Sequence, residues 1–191
     1  MKTTKKGFTL IELIVVIAII GVLAAILVPT MLGYVRKSKI SSANSAASSV
    51  YKAINSALTE LDEEGIDVGG DYILTYTGGT GGSAGSWAAV TAGKPASFTV
   101  DGKDKFAKKV TNFFSDIVKM KKVKAAISGG SCIALASRQD STYNGTYPAG
   151  IVTSDTFDNY KGDGKFDDAS NAAVIKAGYV EGNSAFTRSG S

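Results

Sequence analysis

Histidine is absent from the 191 residues of this chain, and cysteine occurs once, at Cys132. The first absence removes the commonest general base and the commonest metal ligand together. No nucleophile–histidine pair can be assembled; only a Ser–Lys arrangement stays open by composition, and an enzyme is the least favoured class. The second excludes an intrachain disulfide. A lone thiol on an exported surface is a liability, and the adjoining Ile133, Ala134 and Leu135 read as a packed strand, so Cys132 is expected to be buried. Excess charge is also scarce. The formal net charge is +4, and three of the positives are Lys2, Lys5 and Lys6. The remainder is close to neutral, which does not suit a generally basic nucleic-acid binder, so no nucleic-acid partner is expected. No Gly-rich phosphate loop follows a strand, and no cofactor is expected.

What is present is enough for one ordinary domain plus an anchor, in four zones. A basic leader, residues 1–7, precedes an apolar run, 8–32. A polar, Ala- and Ser-rich stretch occupies 33–65, and a Gly-rich, strand-like remainder fills 66–191. From Leu13 to Val28 no residue is polar. About 25 residues of helix span the roughly 30 Å hydrocarbon core of a bilayer. The lysines ahead of the run leave the leader in the cytoplasm and place the chain beyond the run outside.

Past the run, Ile40, Ala43, Ala47, Val50 or Tyr51, Ile54, Leu58 and Leu61 recur at three- and four-residue spacing. That is one apolar stripe on a polar helix. Gly65 is a fitting stop. One helix is therefore expected from Phe8 to about Glu64, apolar all round in its first half and amphipathic in its second. Asp71–Thr77 reads as a strand and Thr77–Ser86 as a glycine-rich loop. Phe106, Val110, Phe113, Ile117 and Met120 suggest a second helix. Residues 122–127 and 132–137 flank Ser128-Gly129-Gly130-Ser131, a hairpin signal. Tyr147–Thr153 and Ala172–Val180 are candidate further strands. The fold class is α+β: a long N-terminal helix packed on an antiparallel sheet.

The most specific string is Lys5-Lys6-Gly7-Phe8-Thr9-Leu10-Ile11-Glu12. It joins a glycine without side chain, a glutamate four residues past Phe8 and unbroken hydrophobics. A carboxylate at the edge of an apolar span costs a few kcal/mol and calls for a partner. The alternative is an interfacial Glu12 that snorkels to the headgroups. Over roughly Lys5 to Pro29 the string resembles the class III signal of type IV prepilins and pseudopilins, type IVa-like. The resemblance implies a pilin fold and cleavage by a prepilin peptidase between Gly7 and Phe8. It also implies N-methylation of Phe8 and assembly through Glu12 against a neighbour's terminal amine. Pro29 removes one helical amide and Gly21 is a second weak point; in pilins the helix between such positions loosens in the filament. Also implied are a homopolymer with other pilin subunits, pilus assembly ATPases, a platform membrane protein, and a single-pass membrane precursor that becomes an extracellular pilus for adhesion, motility or biofilm. The nearest alternative is a pseudopilin of a type II secretion or competence system. A secreted domain cut by a conventional signal peptidase near Ala24 or Ala25 is disfavoured by Glu12. With one cysteine, no disulfide closes a C-terminal loop, which is similar to Gram-positive pilins.

Three further signals have bland readings that outweigh the sharp ones. Asp155, Asp158, Asn159, Asp163, Asp167 and Asp168 crowd a short stretch. Asp163, Asp167 and Asp168 are weak calcium candidates, but the spacing is not that of an EF-hand, and a solvated acidic turn is preferred. Lys103, Lys105, Lys108, Lys109, Lys119, Lys121, Lys122 and Lys124 make a basic patch, read as a solvated face. Asn144-Gly145-Thr146 fits a glycosylation triplet, a pattern common by chance.

Overall fold

The computed structural model describes residues 7–79, 85–89, 93–95, 98, 105–181 and 186–188. The leader lysines, the middle of the glycine-rich loop and Lys103 lie outside the described residues. The chain divides into two compact units, one up to Ser38 and one from Lys39 onwards.

The first helix, α1, is Leu10–Glu63. Its stretch within the first unit is exposed on every side, from Leu10 through Val35. It is long and apolar enough to cross a membrane by length and composition. Pro29 lies inside it. The missing amide of Pro29 leaves the Ala25 carbonyl without its helical donor. One residue on, the Thr30 hydroxyl donates to the Leu27 carbonyl at 2.8 Å.

Within the second unit, α1 buries Ile40, Ala47, Val50, Ala53, Ile54, Ala57, Leu58 and Leu61. This is the stripe expected from the spacing, widened by Ala53 and Ala57. The helix ends as Gly65 predicts. Gly65, at φ +78°, donates to the Asp62 carbonyl at 2.9 Å, and Ile66 donates to the Leu61 carbonyl at 3.0 Å. These two bonds are the Schellman pattern, which needs a left-handed residue and so favours glycine.

Among the described residues, five antiparallel strands form the main sheet: β1 Asp71–Thr77, β2 Ser86–Ala89, β3 Lys122–Ser128, β4 Ser131–Arg138 and β5 Asn144–Tyr147. Their order is β2-β1-β3-β4-β5. Side chains alternate across it, as strand geometry requires. Tyr72, Leu74, Val123, Ala125, Ile127, Cys132 and Leu135 join the α1 face in one core. Ile73, Ala126 and Ala134 point to a second core on the opposite side. Helix α2, Lys105–Phe113, followed by a short 3-10 turn at Ser115–Lys119, closes the first core. There Tyr72, Phe98, Phe106, Trp87 and Tyr76 run in a chain of ring contacts at 5.1–5.6 Å.

The second core corrects the sequence reading. The sequence pattern points to a strand over Ala172–Val180; instead α4, Phe166–Lys176, covers the second sheet face with Ala169, Ala173 and Val174. The short helix α3, Phe157–Tyr160, adds Phe157. Alanines at residues 169, 172, 173 and 177 favour helix over strand, and the strand reading gives too much weight to Val174 and Ile175. Only β6, Tyr179–Glu181, survives from that segment, paired with β7, Phe186–Arg188. Tyr147–Thr153 is likewise not a strand: β5 ends at Tyr147, and Ile151 and Val152 are buried from a loop. The second helix is shorter than expected, since Ile117 belongs to the 3-10 turn.

Two asparagines of α1 set its register on the sheet. Asn44 donates to the Val152 carbonyl at 2.9 Å and accepts from the Thr146 amide at 3.0 Å. Asn55 accepts from the Cys132 amide at 2.9 Å. Gly145 lets β5 approach closely, because a Cβ there would strike the Ala43 carbonyl.

Candidate functional site: the N-terminal segment of α1

The start of α1 is a capping box. The Glu12 carboxylate accepts from the Thr9 amide at 2.8 Å and from the Thr9 hydroxyl at 2.6 Å. The Glu12 amide donates to the Thr9 hydroxyl oxygen at 3.3 Å. Orphan amides of the first turn are thereby satisfied, and a negative group sits where the helix dipole favours it. The sequence reading treats Glu12 as a carboxylate without a partner in its own chain. The structure supplies one. That reading misses Thr9, although a threonine three residues before a glutamate, ahead of an apolar run, is the capping-box signature.

Gly7 and Phe8 precede the helix as non-helical chain, and Phe8 is 88 % exposed. Among the described residues nothing lies within 4 Å of a Cβ placed on Gly7 or Gly21. Neither glycine is demanded by packing among the described residues. Gly21 and Pro29 both lie inside continuous helix.

Elsewhere the structure accounts for the remaining sequence candidates. Arg138 reaches Asp163 at 2.9 Å, Lys124 and Lys122 approach Asp167 at 3.5 and 3.8 Å, and Lys165 holds Asp168 at 2.9 Å. The acidic stretch is thus laced with cations, and no group of three or more His, Cys, Asp or Glu able to hold a metal occurs among the described residues. The basic patch is partly neutralised too. Lys109 bridges Glu60 and Glu64 at 2.6 and 2.8 Å, and Lys105 meets Glu64 at 2.7 Å. Those lysines hold the Glu64 carboxyl down to about 2. Cys132 is buried, as expected, and burial pushes its thiol upward. Asn144 is fully buried, and its amide donates to the carbonyls of Tyr160 and Gly162 at 2.5 and 2.9 Å. The folded chain does not offer that triplet to a glycosylating enzyme.

The site thus joins an exposed apolar helix, a T-x-x-E cap at its start and an α+β head. Residues 2–28 match the family described as "Prokaryotic N-terminal methylation motif". The chain is 43 % identical over 65 residues to a type IV major fimbrial protein, FimA, of Dichelobacter nodosus, covering 34 % of this chain and 42 % of that one. It is 43 % identical over 81 residues to fimbrial protein Q of Moraxella bovis, covering 40 % and 52 %. It is 46 % identical over 57 residues to the type IV major pilin protein PilA of Myxococcus xanthus (strain DK1622), covering 30 % and 26 %. The matched stretches thus span about a quarter to a half of these relatives. No solved structure matches. Over these stretches the chain is similar to type IV fimbrial and pilin proteins, and residues 2–28 carry the N-terminal methylation motif.

Proposed function

We propose that this chain is a structural subunit of a type IV pilus, made as a membrane-anchored precursor and polymerised through α1. The observation that carries the reading is the exposure of every large apolar side chain from Leu10 to Val35. So much apolar surface needs lipid before assembly and other helices after it. The relatives are named as fimbrial and major pilin proteins, which favours a pilus over a secretion pseudopilin.

In this reading a prepilin peptidase hydrolyses the Gly7–Phe8 bond and methylates the new amine of Phe8. Assembly ATPases and a platform protein then move the subunit from membrane to filament, leaving residues 8–32 in the filament core and the globular remainder on the surface. Glu12 gives its charge to a neighbour's terminal amine. The Thr9 cap holds the carboxylate at the helix start beforehand, so little side-chain entropy is lost on pairing. The test is mass spectrometry of sheared surface filaments. The expected N-terminus is Phe8 carrying one methyl group, and Gly7→Trp is expected to retain the leader and abolish filaments. Normal filaments from that variant would remove the peptidase reading.

A further inference from the structure

Tyr51 of α1 and Tyr147 of β5 stack with their ring centroids 3.7 Å apart and 24° between their planes. The aromatic contacts of the two cores run at 5.0–5.6 Å, inside the usual range of about 4.5–7 Å for such pairs. Both tyrosines are half-buried at the margin of the first core, so a small oxidant reaches them, whereas Tyr72 and Tyr76 are buried. Burial, and after it a hydrogen bond with Tyr147, raises the Tyr51 phenol above its ordinary value. That bond brings the two hydroxyls to the same end of the stack, with the ring carbons beside them face to face. β5 is an edge strand of the sheet, and the single cysteine leaves no disulfide to hold it.

We propose that Tyr51 and Tyr147 are a site of oxidative cross-linking, coupled within one chain into a dityrosine that ties α1 to the edge strand β5. The oxidant is hydrogen peroxide acting through a haem peroxidase. Each phenol gives up one hydrogen atom, and the peroxide takes up both and leaves as two waters. The two phenoxyl radicals join at the carbons next to their oxygens, forming one carbon–carbon bond. The hydrogens on those carbons then move to the oxygens and restore two phenols, so the chain is lighter by two hydrogen atoms. Stacked rings already in contact need no diffusional encounter, which favours this pair over tyrosines that must first meet. The link closes a loop of about 100 residues, a span over which a covalent tie strongly restricts the unfolded chain. It also pins a strand whose outer edge is otherwise open to pairing with other chains. The inference rests on the pilus reading for its setting alone: a head displayed outside the cell meets peroxide and secreted peroxidases.

The experiment treats the full chain in detergent with a haem peroxidase and hydrogen peroxide, then digests it and maps linked peptides by mass spectrometry. The expected product is a monomer with dityrosine fluorescence and one linked peptide pair, joining Tyr51 to Tyr147 with the loss of two hydrogens. Tyr51→Phe and Tyr147→Phe keep the rings and the stack, and each is expected to abolish that pair. Replacing the exposed Tyr34 by phenylalanine should leave it in place. The pair should also vanish when the chain is oxidised in urea, because the stack is then gone. Absence of the linked pair from the folded chain would overturn the proposal, as would dimers joined through other tyrosines in its place. The linked chain is expected to unfold at higher urea than Tyr147→Phe treated alike, and equal midpoints would overturn the clamp on β5. None of these readouts needs a filament. A chain that forms the link but never a filament would overturn the pilus reading alone, and filaments from a chain that never forms the link would overturn the cross-link alone.

Discussion

Two stretches of α1 have the same backbone and opposite surroundings. From Leu10 to Val35 the helix is apolar on all sides and wholly exposed; from Lys39 to Glu63 it is amphipathic and buries one face on the sheet. Leu23 is 54 % exposed, whereas Leu58 is completely buried. A helix hydrophobic all round is made for lipid or for other helices, and one with a single stripe is made for its own domain. The same residue type is therefore left exposed in one stretch, where the proposed assembly would use it, and serves folding in the other.

Glu12 offers the largest way to break that division. If the first stretch exists for assembly, Glu12→Val should leave the head folded and the leader cleaved while filament yield collapses. Removing one partner of a buried ion pair costs about 3 kcal/mol or more, on the order of a hundredfold in yield. Glu12→Gln keeps the capping box but not the charge, and is expected to fall between wild type and valine. Thr9→Val keeps the charge and loses the cap. If it matches Glu12→Val, the box and not the charge governs assembly. The measurement is surface pilin against total processed pilin.

Paired leucine truncations sharpen the comparison next. Leu58→Ala should cost the head about 2–5 kcal/mol of stability, from lost burial and a cavity. Leu23→Ala should leave head stability within about 0.5 kcal/mol, as surface changes do, and act on assembly instead. Urea unfolding of the full chain in detergent, followed through the buried Trp87, separates them. Equal losses would mean that the two stretches are not divided as described.

Legibility in the sequence divides along the same line. The apolar run, the stripe, Gly65 and the Gly129-Gly130 hairpin are readable because each rests on local spacing or on one φ angle. The burial of Cys132 is readable because apolar neighbours on a strand imply it. The α3–α4 cover is not. Val174 and Ile175 resemble strand residues, and only the sheet face beneath, with Ile73, Ala126 and Ala134 needing cover, shows why helix wins. The roles of Asn44 and Asn55 depend on contacts 102 and 77 residues away in sequence. The Thr9–Glu12 cap is fully local, yet it is easily overlooked when the carboxylate is weighed as an intruder in lipid.

A smaller effect is expected where the second stretch stops. Gly65→Ala forces a Cβ into a left-handed conformation, which costs about 1–2 kcal/mol, and should lower the melting temperature without touching processing at Gly7. No change in melting would mean that the chain leaves α1 by some other turn.

The smallest effect concerns acid. Glu64 is held at about 2 by hydrogen bonds from Lys105 and Lys109, with their charges adding to the effect, against an ordinary value of 4.5. The folded state therefore binds its proton less readily than the unfolded chain does. By linkage, the stabilisation is fully present above about 4.5, and is lost as pH falls from there through about 2. These groups are at the surface, so salt should weaken the effect. Stability between pH 5 and 2 is expected to fall slightly less steeply in Glu64→Gln than in wild type, with the difference shrinking in high salt. Lys105 and Lys109 both hydrogen-bond Glu64, so Lys105→Met and Lys109→Met should each reproduce part of that change, Lys105→Met the larger part. The exposed apolar stretch of α1 carries no charge between Glu12 and Arg36. Its contribution to assembly should therefore show no matching loss between pH 5 and 2 once Glu12 has been replaced by glutamine. A pH profile that moves with assembly in that variant would mean that charges on the head also hold the filament together.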